Sequence, residues 1–211
     1  MQTSQPLCVV SEQYCEQRSV ELTVSKKALS MSGEGFRITD SEGRLFFKMD
    51  GHALSIRDRC TLLDAEGNPI LTARKKHESD SCMFKSSFFN AILQLISMHE
   101  RWEVCEGEHF HDDALLFTVK KTSMMQFKTH LTVFLTGNDN DDAPDYEVKG
   151  NFMEREGQIL HGRDLVAELK RKFTAPNVML DKHTFATWVA PMMDQAFVAC
   201  LVIIMDRIHE D

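Results

Sequence analysis

The sequence predicts a mainly β fold: a shell of short strands closed around one buried C-terminal helix. Three observations carry that prediction. In the last stretch, DQAFVACLVIIMDRIHED, Ala196 to Met205 is apolar without a break. A helix apolar all the way round needs lipid or protein on every side, and a run this short falls well below the roughly twenty residues that cross a bilayer. Upstream, short segments alternate apolar and polar residues, with turn signals every ten residues or so. That pattern favours a barrel or sandwich over βαβ units. Finally, one turn design is used twice, as D-S-E-G at Asp40–Gly43 and D-A-E-G at Asp64–Gly67. The Asp side chain can bond the backbone ahead of it, and the Gly supplies the positive φ that closes a hairpin.

Taken in order, residues 1–17 read as a flexible leader and 18–211 as a single domain, a size usual for one all-β unit. SVELTVSKK (Ser19–Lys27) alternates as a half-buried strand should. A hairpin follows, Gly35–Asp40 and Arg44–Lys48, and a second at Thr61–Asp64 and Asn68–Thr72. Further strands are predicted over Arg101–Cys105, Leu115–Lys121, Phe127–Leu135, Tyr146–Phe152, Gln158–His161, Leu165–Phe173 and Lys182–Val189. Pro191 ends the last of these, and the helix is placed at about 193–208. Asp194 stands where it can cap that helix or lie in its first turn, with Arg207 and His209 at the carbonyl-rich end. One stretch does not fit: HESDSCMFKSSFFNAILQ, residues 77–94, whose Met83, Phe84, Phe88, Phe89, Ile92 and Leu93 recur at helical spacing. It reads as a loop insertion folded back on the barrel, with an amphipathic helix for a membrane or partner as the alternative.

With 24 Lys and Arg against 32 Asp and Glu, the net charge is -8. Direct nucleic-acid binding is therefore not expected, because it rests on clustered cations that neutralise phosphates. MQTSQPLCVV lacks the basic start and apolar run of a secretory signal and has no Gly at position 2 for myristoylation. The expected location is the cytoplasm, with peripheral plasma-membrane or nuclear placement as extensions, and the expected state is a monomer. Cys8, Cys15, Cys60, Cys82, Cys105 and Cys200 include no CxxC pair and are read as reduced thiols. Palmitoylation of Cys8 and Cys15 is the alternative for the leader.

The set ITDSEGRLFFK (Ile38–Lys48), LLDAEGNPILT (Leu62–Thr72), SMHERWEV (Ser97–Val104), LLFTVKKTSMMQFKTHLTVFL (Leu115–Leu135) and DQAFVACLVIIMD (Asp194–Asp206) resembles, in this order, the LURP-one-related proteins of plants. The resemblance covers roughly residues 19–209. It implies the fold shared with the tubby C-terminal domain and phospholipid scramblases: a closed antiparallel barrel of about twelve strands around a hydrophobic C-terminal helix. The chain departs from the family pattern at His77–Gln94, as a genuine insertion or as an artefact of the gene model. The resemblance implies a non-enzymatic intracellular adaptor or lipid sensor in plant defence or stress response. Phospholipid handling of the scramblase kind and tubby-like, membrane-tethered regulation of transcription are the alternatives. Anionic phospholipid headgroups and an unidentified protein are the partners it suggests.

Three basic clusters could meet lipid phosphates: Arg74-Lys75-Lys76, Lys120-Lys121 with Lys128, and Lys170-Arg171-Lys172. Neighbouring residues of a strand point to opposite faces, so each cluster supplies only one or two cations to a common patch. An ordinary solvated surface is the competing reading. His109-Phe110-His111 among acidic residues and the acidic run Asn138–Asp145 are read as surface loops. Neither has the ligand spacing of a metal site, and no metal or cofactor is expected. Nucleophile-elbow, P-loop, dinucleotide and HExxH motifs are all missing from the sequence, so catalysis is not expected.

Overall fold

The computed structural model describes residues 6–30, 33–50, 59–76, 101–125, 128–138, 143–151, 156–171 and 184–210. Its strands are β1 (Val20–Ser30), β2 (Gly33–Thr39), β3 (Leu45–Asp50), β4 (Arg59–Asp64), β5 (Pro69–Lys76) and β6 (Arg101–Glu106). The second half supplies β7 (Leu115–Met125), β8 (Lys128–Leu135), β9 (Tyr146–Asn151), β10 (Glu156–His161), β11 (Asp164–Arg171) and β12 (Thr184–Val189). Each pairs antiparallel with its sequence neighbours, and β1 pairs with β12, so the sheet is a closed barrel. Closure removes the unpaired edges at which an open sheet would recruit another chain.

The helix α1 (Gln195–Glu210) fills the barrel. Every residue from Ala196 to Ile208 is buried, which is why the run can be apolar all round. Strand residues of one parity complete the core: Leu22 and Val24, Leu71 and Ala73, Val104, Phe117 and Val119, Leu131 and Val133. Phe197 of the helix meets Phe117 edge-on at 5.0 Å and Tyr146 at 4.8 Å between ring centroids. Each such large side chain contributes about 1.5–3 kcal/mol through burial.

The repeated turn forms as the sequence predicts. Asp40 Oδ1 accepts the Glu42 and Arg44 backbone N–H groups, both at 2.9 Å. Asp64 Oδ1 accepts those of Gly67 and Asn68, both at 2.7 Å. Gly43 and Gly67 have φ of 81° and 103°, a conformation that favours residues without a side chain.

The leader differs from expectation over its described part. Leu7 bridges Met193 in parallel, Cys15 bridges Asp194 in antiparallel, and Leu7, Val9, Val10 and Tyr14 pack against the core. Met192 has φ of 63°. It is held there by its N–H donating to Glu16 O (2.6 Å) and its O accepting from Leu7 N–H (2.8 Å). Residues 6–17 therefore form a clasp over the barrel mouth. The insertion expected at 77–94 lies outside the described residues.

Candidate functional site

Pairing register decides which basic residues share a face. Trp102 and Val119 line the interior, so the residues beside them in sequence, Arg101 and Lys120, point outward. Lys76 lies opposite Arg101, and Arg101 opposite Lys120. One row over, Arg59 lies opposite Arg74, and Arg74 opposite Glu103. Two of the three expected clusters thus contribute to one outer face across β4–β7, through Arg74, Lys76 and Lys120.

Glu103 organises that face. Only 5% exposed, it accepts from Lys76 Nζ (2.7 Å) and Arg74 Nη2 (3.2 Å), with Arg101 Nη2 at 3.6 Å. Burial pushes its carboxyl up, but the hydrogen bonds from Lys76 and Arg74 and the charges of Lys76 and Arg101 outweigh this and hold it below the ordinary value. The cations stay accessible: the Arg74, Lys76 and Arg101 side chains are 42%, 35% and 39% exposed. Arg74 stacks on Phe110, its guanidinium 3.7 Å from the ring centroid, and Lys120 Nζ sits 4.5 Å from the Phe134 centroid. Arg59 donates to the Glu108 backbone oxygen, tying the β6–β7 loop to this face. Three cations thus gather on one carboxylate, with Arg59 and Lys120 next to them in register, on a protein whose net charge is -8.

The other candidate residues lie elsewhere. Lys75 and Lys121 share the parity of Ala73 and Val119, so they turn toward the interior at the C-terminal end of α1. Both have interaction partners, as does Lys26, whose Nζ is 3.3 Å from Asp206 Oδ2. Lys170 is outward on the far wall and pairs with Glu168 at 2.6 Å. It also lines a cavity of about 690 Å³ with Thr129, His130, Lys149, Gly157 and Leu169. Lys128 and Arg171 belong to β8 and β11 by backbone; their side chains, and Lys172 altogether, lie outside what is described. Arg59, Arg101 and Glu103 were missed by the sequence reading. The alternation R-W-E in a predicted strand was the available signal for the last two.

The loops behave as loops. Asp145 Oδ2 accepts the Leu135 N–H and Asn138 Nδ2, both at 2.8 Å, closing the β8–β9 connection on itself; residues 139–142 of the acidic run lie outside the described set. Among the described residues, one group of possible metal ligands gathers, and it is Cys8, Cys15 and Asp194 rather than His109 and His111. Asp194 already serves five donors. Oδ1 caps α1 through Ala196 and Phe197 N–H (3.0 and 3.1 Å), and Oδ2 accepts Val9, Val10 and Ser11 N–H (3.2, 2.7 and 3.1 Å). Its lone pairs are spent on backbone, so it does not fit a cation.

Comparison with known proteins gives one family. The LURP-one-related family model matches residues 20–206. Protein LURP-one-related 15 of Arabidopsis thaliana is 35% identical over 205 residues, covering 96% of this chain and 86% of its own. Protein LURP1 of the same plant is 30% identical, covering 98% and 92%. The X-ray structure of an Arabidopsis thaliana protein superposes with a TM-score of 0.67 at 30% identity, covering 96% of this chain and 98% of that one.

Proposed function

The chain belongs to the LURP-one-related family, and from that premise we propose that it is a non-enzymatic adaptor of plant defence or stress signalling that docks through its cationic face on anionic phospholipid headgroups. The observation that carries this reading is the outward set Arg59, Arg74, Lys76, Arg101 and Lys120 around Glu103. The Arg74, Lys76 and Arg101 side chains share the Glu103 carboxylate and keep 42%, 35% and 39% of their surface exposed, on a protein that is acidic overall. Arginine forks and lysine ammonium groups at this spacing suit phosphate oxygens. Clustered headgroup phosphates, as in phosphoinositides, supply several such partners at once. Phe110 and Phe134 beneath the cations hold their long side chains over the surface instead of letting them splay.

Scramblase-like handling of lipid draws no comparable support. The apolar helix is enclosed by strands, and no helix of the described residues is long and apolar enough to cross a membrane. Co-sedimentation with neutral, phosphatidylserine and phosphoinositide vesicles at two salt concentrations tests the proposal. Salt-sensitive binding to phosphoinositide vesicles, lost in the pair Arg74→Glu and Lys120→Glu and kept in Lys170→Glu, is the expected result. Binding to no vesicle, or binding indifferent to both charge reversals, would leave a protein partner as the ligand of the family adaptor.

A further inference from the structure

The clasp contains a chemistry that the lipid reading does not use. Cys8 and Cys15 stand over the helix N-terminus, their sulfur atoms and an Asp194 oxygen all within 4.8 Å of one another. The Cys15 thiol donates to the Ser11 backbone oxygen, its sulfur 3.8 Å away. Cys8 is exposed and Cys15 partly so, whereas Cys60, Cys105 and Cys200 are buried. A metal ion is poorly served here, since Asp194 has no lone pair left and two thiols alone would remain. A bond between the two sulfurs needs no further ligand.

We infer that Cys8 and Cys15 are an oxidative modification site, closing to an intramolecular disulfide that locks the N-terminal clasp over the start of α1. The oxidant is a hydroperoxide. Hydrogen peroxide transfers one oxygen to the exposed Cys8 sulfur, giving a sulfenic acid and water. The Cys15 sulfur then attacks that sulfur, the S–S bond forms, and the sulfenic oxygen leaves as a second water. Two thiols are oxidised and one peroxide is reduced. Attack proceeds through thiolate. Burial and then the nearby Asp194 carboxylate push Cys15 up to about 12 and raise Cys8, so the reaction is slow at neutral pH. The product, unlike the thiolate, places no charge beside Asp194. A new bond closes a loop of about eight residues that already holds the Val9, Val10 and Ser11 N–H groups on Asp194, so it constrains a clasp whose ends are already docked.

The test treats the full-length protein with hydrogen peroxide and reads intact mass, disulfide-mapped peptides, melting temperature and hydrogen exchange. A loss of two hydrogens, a Cys8–Cys15 linked peptide, a melting temperature higher by about 5 °C, and exchange of the 9–11 amides slowed roughly tenfold are expected. Dithiothreitol should reverse all of them. Cys8→Ser and Cys15→Ser should each abolish these changes, and Cys60→Ser should not. The inference is overturned if the cysteines gain oxygen without bridging, if the bridge joins another pair, or if the linked peptide appears with no change in exchange across the clasp.

Discussion

Asp194 shows how much one side chain can hold. It is fully buried, and its two oxygens serve five backbone N–H groups from segments more than 180 residues apart in sequence. Replacing it by Ala removes a helix cap and strands the clasp donors, a loss of about 2–4 kcal/mol. Asp194→Ala should melt lower and expose residues 7–16 to proteolysis; an unchanged digestion pattern would show that the clasp holds by its apolar contacts alone. Among the described residues four carboxyls are held below their ordinary values and set the acid limit: Asp40, Asp64, Glu103 and Glu147, the last through hydrogen bonds from Lys149 and then His130. In Asp40 burial acts upward but is outweighed by the Arg44 side chain and the Arg44 and Glu42 N–H groups; in Asp64 the Asn68 side chain acts first, followed by backbone donors. Glu103 is held down by Lys76 and Arg74 against its burial. A carboxyl lowered in the folded state stabilises it above the unfolded value, here 3.8 for Asp and 4.5 for Glu. That contribution disappears as pH falls through the lowered value. The melting temperature should therefore fall between about pH 5 and pH 3, less steeply in Glu103→Gln, which has already lost its share.

The elements were legible in proportion to how local their cause is. The two D-x-E-G turns form because one Asp and one Gly suffice, all within five residues of chain. The buried helix was legible because ten apolar residues between Asp194 and Asp206 leave no other solvent than a protein core. The clasp was not, because its bonds run to Asp194 and Met192 at the far end of the chain. The cationic face was half legible. Alternation warned that Lys75 and Lys76 would part company, yet which cations would meet depended on register between strands that neither motif nor spacing specifies. The helix itself affords a direct test. Val202 is wholly buried, and Val202→Asp would leave a charge with no partner in the core, costing more than about 4 kcal/mol. Loss of the folded protein from the soluble fraction is the expected outcome, while Val202→Ile should remain folded. A folded, soluble Val202→Asp protein would mean that the helix leaves the barrel at little cost.

At the scale of the whole molecule, barrel and helix have one core between them. Every strand has two partners, β1 meets β12, and the side chains of α1 are the filling on which the inward residues of the strands pack. Removing the helix would leave a lumen lined by Phe117, Val119, Leu131 and Val133 with nothing to bury against, so neither part has a stable state alone. Unfolding should then be a single all-or-none event. The two tryptophans report on opposite sides of the wall: Trp102 is 1% exposed and Trp188 is 37% exposed. Denaturation followed through Trp102 in a Trp188→Phe variant should give the same midpoint as the far-ultraviolet dichroism of the strands and helix. A Trp102 transition preceding the loss of dichroism would mean that the interior loosens while the strands stay paired, and the helix would then be a separable plug in a self-sufficient barrel. Coincident transitions would make the cationic outer face and the buried helix parts of one cooperative unit, so that a mutation on either is felt as a change in the stability of the whole.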